Sequence, residues 1–302
     1  MHTDRYAAPT RLLAVLLSTL VLSSACEAGA AEVQPFFDRA PWHDGQAEVN
    51  FYEASEIRYD ERRTAEEAVL IFVKEDHLQD GQVKADDPQQ ADLPAVKLNW
   101  VVQIPTGIYT YRQQASVFVN RETNQPYRQT FASHEWCGNV FKELRLSGDA
   151  GWQYRWTSYF EDEGEGTRPI PIATEHPVVL ADALPIYLRA ARLNHTISVL
   201  PSLRSIRATP DDFKPTNATI RLLDHQRITV PAGTFAVQPV TVDYADGRQD
   251  RYLLEVGARR RIVKMELADG SIYELRRSIR TDYWNRNAPG DEAMKEGVGV
   301  EN

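Results

Sequence analysis

The sequence predicts a mainly β protein with one principal α-helix. From about residue 47 onward, short runs rich in Val, Ile, Tyr, Phe and Trp alternate with turn residues, which is typical of antiparallel strands. Only the segment 180–193 places apolar residues at helical spacing. Two Asp-Gly pairs, at 246–247 and 269–270, are strong hairpin signals. The length suits one large β domain or two β lobes.

Residues 1–30 are predicted to be a signal peptide. Arg5 and Arg11 precede the apolar run "LLAVLLSTLVL" at 12–22, which is too short to span a bilayer as a helix. Two processing sites remain open: cleavage after the small residues at 28–30, or cleavage before Cys26, which would then carry a lipid. We therefore expect an exported protein, either periplasmic or anchored as a lipoprotein in a bacterial envelope.

Composition excludes two other classes. The formal net charge of −9 makes nucleic acid a poor partner. The chain has two cysteines, Cys26 and Cys137, and removal or lipidation of the first leaves the second without a partner. A disulfide framework is therefore not expected.

The first half is predicted to be a linker, 31–46, followed by an N-terminal antiparallel β lobe, 47–175. Residues 67–75 are apolar on both faces, which indicates a central strand covered on both sides. Residues 96–104 and 151–160 alternate between apolar and polar side chains, as half-buried strands do.

The second half, 176–285, is predicted to be the helix followed by a five-stranded antiparallel meander. Asp182 is the expected N-cap of the helix, which places Pro185 in the first turn, where proline is tolerated. The polar tail, 286–302, is predicted to be disordered.

Three segments of the second half, "LADALPIYLRAA" (180–191), "VPAGTF" (230–235) and "RIVKMELADGSIYEL" (261–275), resemble a family of exported bacterial β-rich proteins of unknown function. The first half is similar to uncharacterised secreted bacterial proteins through "VKADDP" (83–88), "TGIYTY" (106–111) and "EWCG" (135–138). The resemblance implies a curved antiparallel sheet, or half-barrel, that wraps the principal helix as in periplasmic lipoprotein carriers. It brings no known catalytic residue.

The stretch 133–140, "SHEWCGNV", is the one candidate for nucleophilic chemistry. On a continuous strand, Cys137 points away from His134, so the histidine cannot serve as its base. We therefore expect Cys137 to be a buried structural thiol, Glu135 to form a buried ion pair with an arginine, and Gly138 to allow close packing or a bulge. Trp136 completes this structural cluster. A hydrolase that uses Cys137 or Glu135 in a sheet cavity is the alternative. No histidine or cysteine pattern indicates a metal, and no fingerprint indicates a cofactor.

Aromatic residues on the predicted strand faces are the best candidates for ligand contact. They form either an ordinary core or the wall of a pocket for lipid or sugar, since Trp and Tyr combine apolar faces with polar tips. The candidates are Trp100, Tyr109, Tyr111, Trp152, Tyr154 and Trp156.

Basic residues are concentrated between 248 and 280, where nine Lys and Arg face five acids. They form either solvated strand faces or a surface that docks on anionic envelope lipid. The residues proposed for docking are Arg259, Arg260, Arg261, Arg276 and Arg277. The function predicted from the whole sequence is an exported, non-enzymatic binding or carrier protein for an apolar or amphipathic ligand. The alternatives are the hydrolase and a structural or interaction protein of the envelope without a small ligand.

Overall fold

The computed structural model describes Met1 and residues 35–191, 193–208 and 213–301. Residues 2–30 of the predicted signal peptide, including Cys26, and residues 31–34 of the predicted linker lie outside the described residues. The described part is mainly β, with one α-helix, as predicted. No helix within it is long and apolar enough to cross a membrane.

The helix, α1, spans Leu184–Ala190. The strands are β1 Ala47–Arg58, β2 Glu61–Thr64, β3 Glu67–Lys74, β4 His77–Leu78, β5 Val83–Lys84, β6 Ala95–Pro105, β7 Thr110–Asn120, β8 Gln125–Glu135, β9 Gly138–Leu146, β10 Trp152–Ser158, β11 Glu165–Ile170, β12 Val178–Leu180, β13 Thr196–Leu200, β14 Thr216–Leu222, β15 Gln226–Val230, β16 Gly233–Tyr244, β17 Gln249–Glu255, β18 Ile262–Glu266, β19 Ile272–Thr281 and β20 Gly299–Val300.

All strands except the small β4–β5 pair belong to one curved sheet that does not close. Its order is β11-β10-β9-β8-β7-β6-β3-β1-β19-β18-β17-β16-β14-β13-β12, with β2 paired to β1, β15 to β16 and β20 to β19. The pairs β12–β13 and β19–β20 are parallel, and the other pairs are antiparallel. Because β1 pairs with β19 from Ala47–Thr281 to Ser55–Ile272, the two predicted lobes share a single sheet.

The predicted alternation of side chains is confirmed in the central strands. In β6, Leu98, Trp100, Val102 and Ile104 are buried and the residues between them are half-buried. The strand β3 lies between β1 and β6 and is buried on both faces, as its unbroken apolar run predicts.

The concave side of the sheet holds the main core. Helix α1 lies in this core with Leu184, Ile186 and Leu188 fully buried. The sheet curls around it far enough that β12 contacts β8. The helix is shorter than predicted because residues 181–183 form a 3₁₀ turn, in which the Asp182 carboxylate binds other groups instead of capping α1. Pro185 lies in the first helical turn, as expected.

A fully buried ion pair joins α1 to the sheet. Arg189 donates from Nη1 to Glu48 Oε1 (2.8 Å) and from Nη2 to Glu48 Oε2 (3.0 Å), and both side chains have zero exposure. The guanidinium also donates to the carbonyl of Arg259 (2.6 Å) and lies 4.5 Å from the ring centroid of Phe72. Burial acts to raise the pKa of Glu48, but the charge and hydrogen bonds of Arg189 outweigh it and hold the pKa below its ordinary value.

From residue 35 onward, the predicted linker is packed into the core instead of forming an exposed connection. Phe36, Phe37 and Trp42 are buried and pack against one another and around the guanidinium of Arg189. Three aromatic rings within seven residues bury too much apolar area to remain in water.

The polar tail was also predicted wrongly as disordered. It runs along the convex face of the sheet and ends in β20, which pairs with β19. We call residues 283–301 the C-terminal strap. Its attachment depends on side chain-to-backbone hydrogen bonds from Arg276 to the carbonyls of Lys295 (2.9 Å) and Gly297 (2.7 Å), which composition cannot reveal.

Candidate functional site

The six aromatic candidates lie on the concave side of the sheet, but most of their surface is used in packing. Trp100, Tyr111, Trp152 and Tyr154 are at most 6 % exposed, and Tyr109 and Trp156 are partly buried. Tyr154 is stacked between Trp156 (5.3 Å between centroids) and Phe213 (4.9 Å). This is the geometry of a core, and it leaves little ring surface open to a ligand.

The expectation that Cys137 is buried is wrong. Trp136 and Cys137 form a two-residue turn between β8 and β9, in which Glu135 pairs with Gly138 and the thiol is exposed. The prediction failed because it continued the strand alternation through a turn that lacks an Asn-Gly or Asp-Gly signal.

The surroundings of Cys137 are aromatic rather than catalytic. His134 is engaged elsewhere, since its Nδ1 pairs with Asn139 Oδ1 at 3.1 Å. Gly138 permits the close packing that was expected, since a Cβ there would lie 2.4 Å from Cγ of Tyr159. Glu135 is half-buried at the start of this turn, which corrects the expectation of a buried carboxylate.

The basic residues proposed for docking are largely engaged within the protein. Arg260 donates to the carbonyl of Leu188 (2.9 Å), and Arg261 forms a buried pair with Glu255 (2.8 Å). Arg259 is half-buried, and its carbonyl accepts a hydrogen bond from Arg189. Arg276 and Arg277 hold the C-terminal strap.

A cleft of about 260 Å³ lies on the concave side of the sheet. It contains a polar network that the sequence analysis did not predict. Arg204 lies 3.8 Å above the ring centroid of Trp100 and pairs with Glu56 (3.1 Å) and Asp182 (3.2 Å). The same Asp182 accepts hydrogen bonds from Ser202 Oγ (2.6 Å) and the backbone N–H of Leu203 (2.9 Å). One guanidinium thus bridges two carboxylates, and the network fixes the loop 201–205 over the core.

Another carboxylate in this cleft, Asp250, is held in a different way. It accepts hydrogen bonds from the Tyr244 hydroxyl (2.7 Å) and the backbone N–H of Ala268 (2.7 Å). Burial outweighs these bonds and raises the pKa of Asp250 above its ordinary value.

Lys142 is buried near the same loop. Its Nζ donates to the carbonyls of Ser205 (2.5 Å) and Arg207 (2.9 Å) and lies 4.7 Å from the ring centroid of Phe131. Burial disfavours the ammonium more than nearby acids favour it, and this lowers the pKa of Lys142 to about 7 from an ordinary 10.5.

This shift predicts a pH dependence of stability. Between pH about 7 and 10.5 the unfolded chain holds a proton on Lys142 that the folded chain has lost. Stability should therefore rise with pH across that window, because the penalty of burying a charged lysine is relieved. Urea unfolding at about pH 7 and about pH 9 should show a gain for the wild type and a smaller gain for Lys142→Met. Equal gains in both proteins would contradict the assignment.

An apolar cavity of about 250 Å³ lies on the opposite, convex side of the sheet, under the C-terminal strap. Outward-facing side chains of four central strands form its floor, while Tyr283 and Met294 of the strap contact them from above. The floor residues are Val49, Phe51, Val69, Ile71, Val101 and Ile279. The sequence analysis did not predict a cavity here. The apolar pattern of 67–75 on both faces did indicate that the outer face of β3 would be covered.

Charged residues surround the opening of this cavity. Lys295 Nζ is 2.8 Å from Glu67 Oε1, and Arg286 Nε is 3.1 Å from Asp282 Oδ1. Asp291 also borders the opening. The arrangement therefore combines an apolar interior with a rim that carries both signs of charge. No protein-family model, curated protein or solved structure matches the chain.

Proposed function

We propose that the chain is an exported, envelope-associated protein that binds or carries an apolar or amphipathic ligand without a chemical step. The observation that carries the proposal is the apolar cavity between the convex face of the sheet and the C-terminal strap. Export is inferred from the leader-like residues 1–30, and the carrier role agrees with the resemblance noted in the sequence.

The cavity needs an explanation because antiparallel sheets usually leave one face to water. Here the concave face packs the helix, while the outer face of β1, β3, β6 and β19 is apolar as well. The strap covers this second apolar face incompletely, and the space left is close to the lower end of the range of ligand pockets, roughly 300–1,000 Å³.

The rim favours an amphipathic ligand over a purely apolar one. A hydrocarbon chain placed on Val69 and Val101 would bring a polar head to Lys295, Glu67 or Arg286. The chain would gain about 25 cal/mol for each Å² removed from water, and the head would remain at the solvated rim.

The strap provides a route of entry. Apart from Tyr283, Met294 and Val300, its attachment consists of polar contacts, among them the bond from Arg277 Nε to the carbonyl of Met294 (3.0 Å). Segments with few apolar contacts open at lower free energy than the core. Local detachment of the strap would therefore expose the cavity while the sheet remains folded.

The test is calorimetric titration with decanoate and with decanol. We expect at least one to bind with a negative heat-capacity change, the mark of apolar burial. Val101→Phe fills the cavity from the floor and Met294→Trp fills it from the strap, so both should abolish binding. Val83→Phe, at an exposed position outside the cavity, is the matched control and should bind like the wild type.

Two results would reject the proposal. If neither compound binds the wild type, the cavity is a packing void, and the interaction protein without a ligand becomes the better account. If Val101→Phe and Met294→Trp are folded and bind as well as the wild type, the ligand lies elsewhere.

A further inference from the structure

Four turns at one end of the sheet each expose a large apolar or aromatic side chain. They are the β1–β2, β6–β7, β8–β9 and β10–β11 turns, which carry Tyr59 (62 % exposed), Ile108 (84 %), Trp136 (70 %) and Tyr159 (46 %). We call these four residues the tip surface.

The strand register places the four turns at the same end of the sheet. Arg112 of β7 pairs with His134 of β8, which sets the Ile108 turn beside the Trp136 turn. Ser158 of β10 pairs with Val140 of β9, which sets the Tyr159 turn on the other side of Trp136. The β1–β2 turn points the same way because β1 and β6 both run antiparallel to β3.

Contacts link three of the four residues of the tip surface through their neighbours, and the fourth, Ile108, precedes the linking residue Tyr109. The Tyr109 ring links Trp136 (6.1 Å between centroids) to Tyr111 (5.6 Å), and the Tyr111 hydroxyl is hydrogen-bonded to that of Tyr59. On the other side, the Tyr159 ring packs closely on Gly138, two residues after Trp136. Contiguous exposed apolar patches mark interaction sites, whereas single exposed apolar residues are ordinary.

Charge divides the tip surface into a centre and a margin. Residues 105–109 and 136–139, around Ile108 and Trp136, contain no charged residue. The two outer turns carry charges of both signs. Asp60 and Glu61 follow Tyr59 but lie between Arg58 and Arg62. Glu161 and Asp162 follow Tyr159, and Asp162 pairs with Arg207 at 3.0 Å. The most exposed apolar side chains are therefore the ones that can leave water without carrying a charge with them.

We propose that the tip surface docks on the interface of a neutral or zwitterionic lipid bilayer, with Ile108 and Trp136 inserted and Tyr59 and Tyr159 at the level of the headgroups. The ends of four hairpins project from this end of the sheet, whereas small-molecule sites are concave. A flat, deformable partner therefore fits better than a small ligand. Trp and Tyr are the residues enriched at bilayer interfaces. The mixed charges of the outer turns give no net preference for an anionic surface, so the attraction must come from apolar burial.

The thiol beside Trp136 allows a direct test on the full chain. In a Cys26→Ser background, Cys137 is the only cysteine, and an environment-sensitive fluorophore can be attached to it. Vesicles of phosphatidylcholine should shift the emission to the blue, and spin-labelled lipid should quench it. Ile108→Asp with Trp136→Ala should lower vesicle partitioning about tenfold or more, since two buried side chains are lost.

A matched pair of exposed apolar residues provides the control. Leu223 and Val256 are 43 % and 48 % exposed and lie toward the opposite end of the sheet. Leu223→Asp with Val256→Ala should leave partitioning unchanged, and any contribution of residues 1–30 is the same in all variants. An unshifted fluorophore would overturn the proposal in favour of a protein partner. Binding that requires anionic lipid and is lost at high salt would overturn it as well. Neither result depends on whether the cavity under the strap binds a ligand.

Discussion

Replacement of Arg189 by methionine should destabilise the protein by about 3–5 kcal/mol, because it leaves the Glu48 carboxylate charged and unpaired at zero exposure. Methionine keeps much of the side-chain volume among Phe36, Trp42 and Phe72, so the loss should reflect charge more than a cavity. Urea unfolding at neutral pH measures the effect.

The same pair predicts how the deficit responds to a second change. In Arg189→Met, the main group that opposes the effect of burial on Glu48 is lost, and only the Asn50 hydrogen bond and the charge of Arg261 remain. The pKa of Glu48 should therefore rise, and the deficit should shrink as the pH falls. Replacing both partners, as Glu48→Leu with Arg189→Met, should recover most of the stability because no buried charge remains. Arg248→Met, which removes an exposed pair with Asp246, should cause no measurable change. A single variant as stable as the wild type would contradict the role given to this ion pair.

Replacement of Trp100 by alanine should cost about 3–5 kcal/mol, the usual range for a large aromatic side chain in a core. Trp100 is 2 % exposed, meets Tyr273 edge-on at 5.4 Å between centroids and supports the guanidinium of Arg204. Its loss removes apolar contacts and also the ring on which the cleft network rests. Thermal or urea unfolding measures this effect.

Trp136→Ala is the matched control, because Trp136 is the same residue type at 70 % exposure. It should change stability by no more than about 0.5 kcal/mol. Trp100→Phe should fall between the two, since part of the ring contact is kept. A Trp100→Ala protein that is fully stable yet has lost binding of decanoate or decanol would contradict the core assignment and restore Trp100 as a ligand contact.

The two tryptophans show where sequence patterns determine structure here. Trp100 lies in a strand of strict alternation between paired neighbours, so its face could be predicted from parity alone. Trp136 follows the same parity in the sequence but lies beyond the last paired residue of β8. A turn of two residues without glycine or asparagine gives no local signal, so the prediction extended the strand through it.

The predictions for the linker and the polar tail failed for a different reason. Composition correctly described the strap as polar, but its position depends on guanidinium groups of Arg276 and Arg277 that lie in a distant strand and bind its carbonyls. The ion pair of Glu48 and Arg189 joins residues that are 141 positions apart. Contacts of this range are set by sheet order, which alternation within single strands does not determine.

The candidate site was predictable only in outline. The unbroken apolar run in 67–75 indicated that both faces of β3 would be covered, and the structure confirms this. That the outer cover would be the polar strap, and that it would leave a cavity over Val69 and Val101, follows only from the folded chain. The aromatic faces that attracted attention in the sequence are largely consumed by the core.

The most direct measurement of the proposed function is native mass spectrometry of the full-length protein purified from the envelope of the organism that makes it. The account predicts a bound species of discrete added mass, released when the protein is denatured, with an apolar chain and a polar head. Val101→Phe purified in the same way should lack this species, while Val83→Phe should retain it. A wild-type protein that carries no added mass, or the same species retained on the folded Val101→Phe variant, would contradict a ligand site beneath the C-terminal strap.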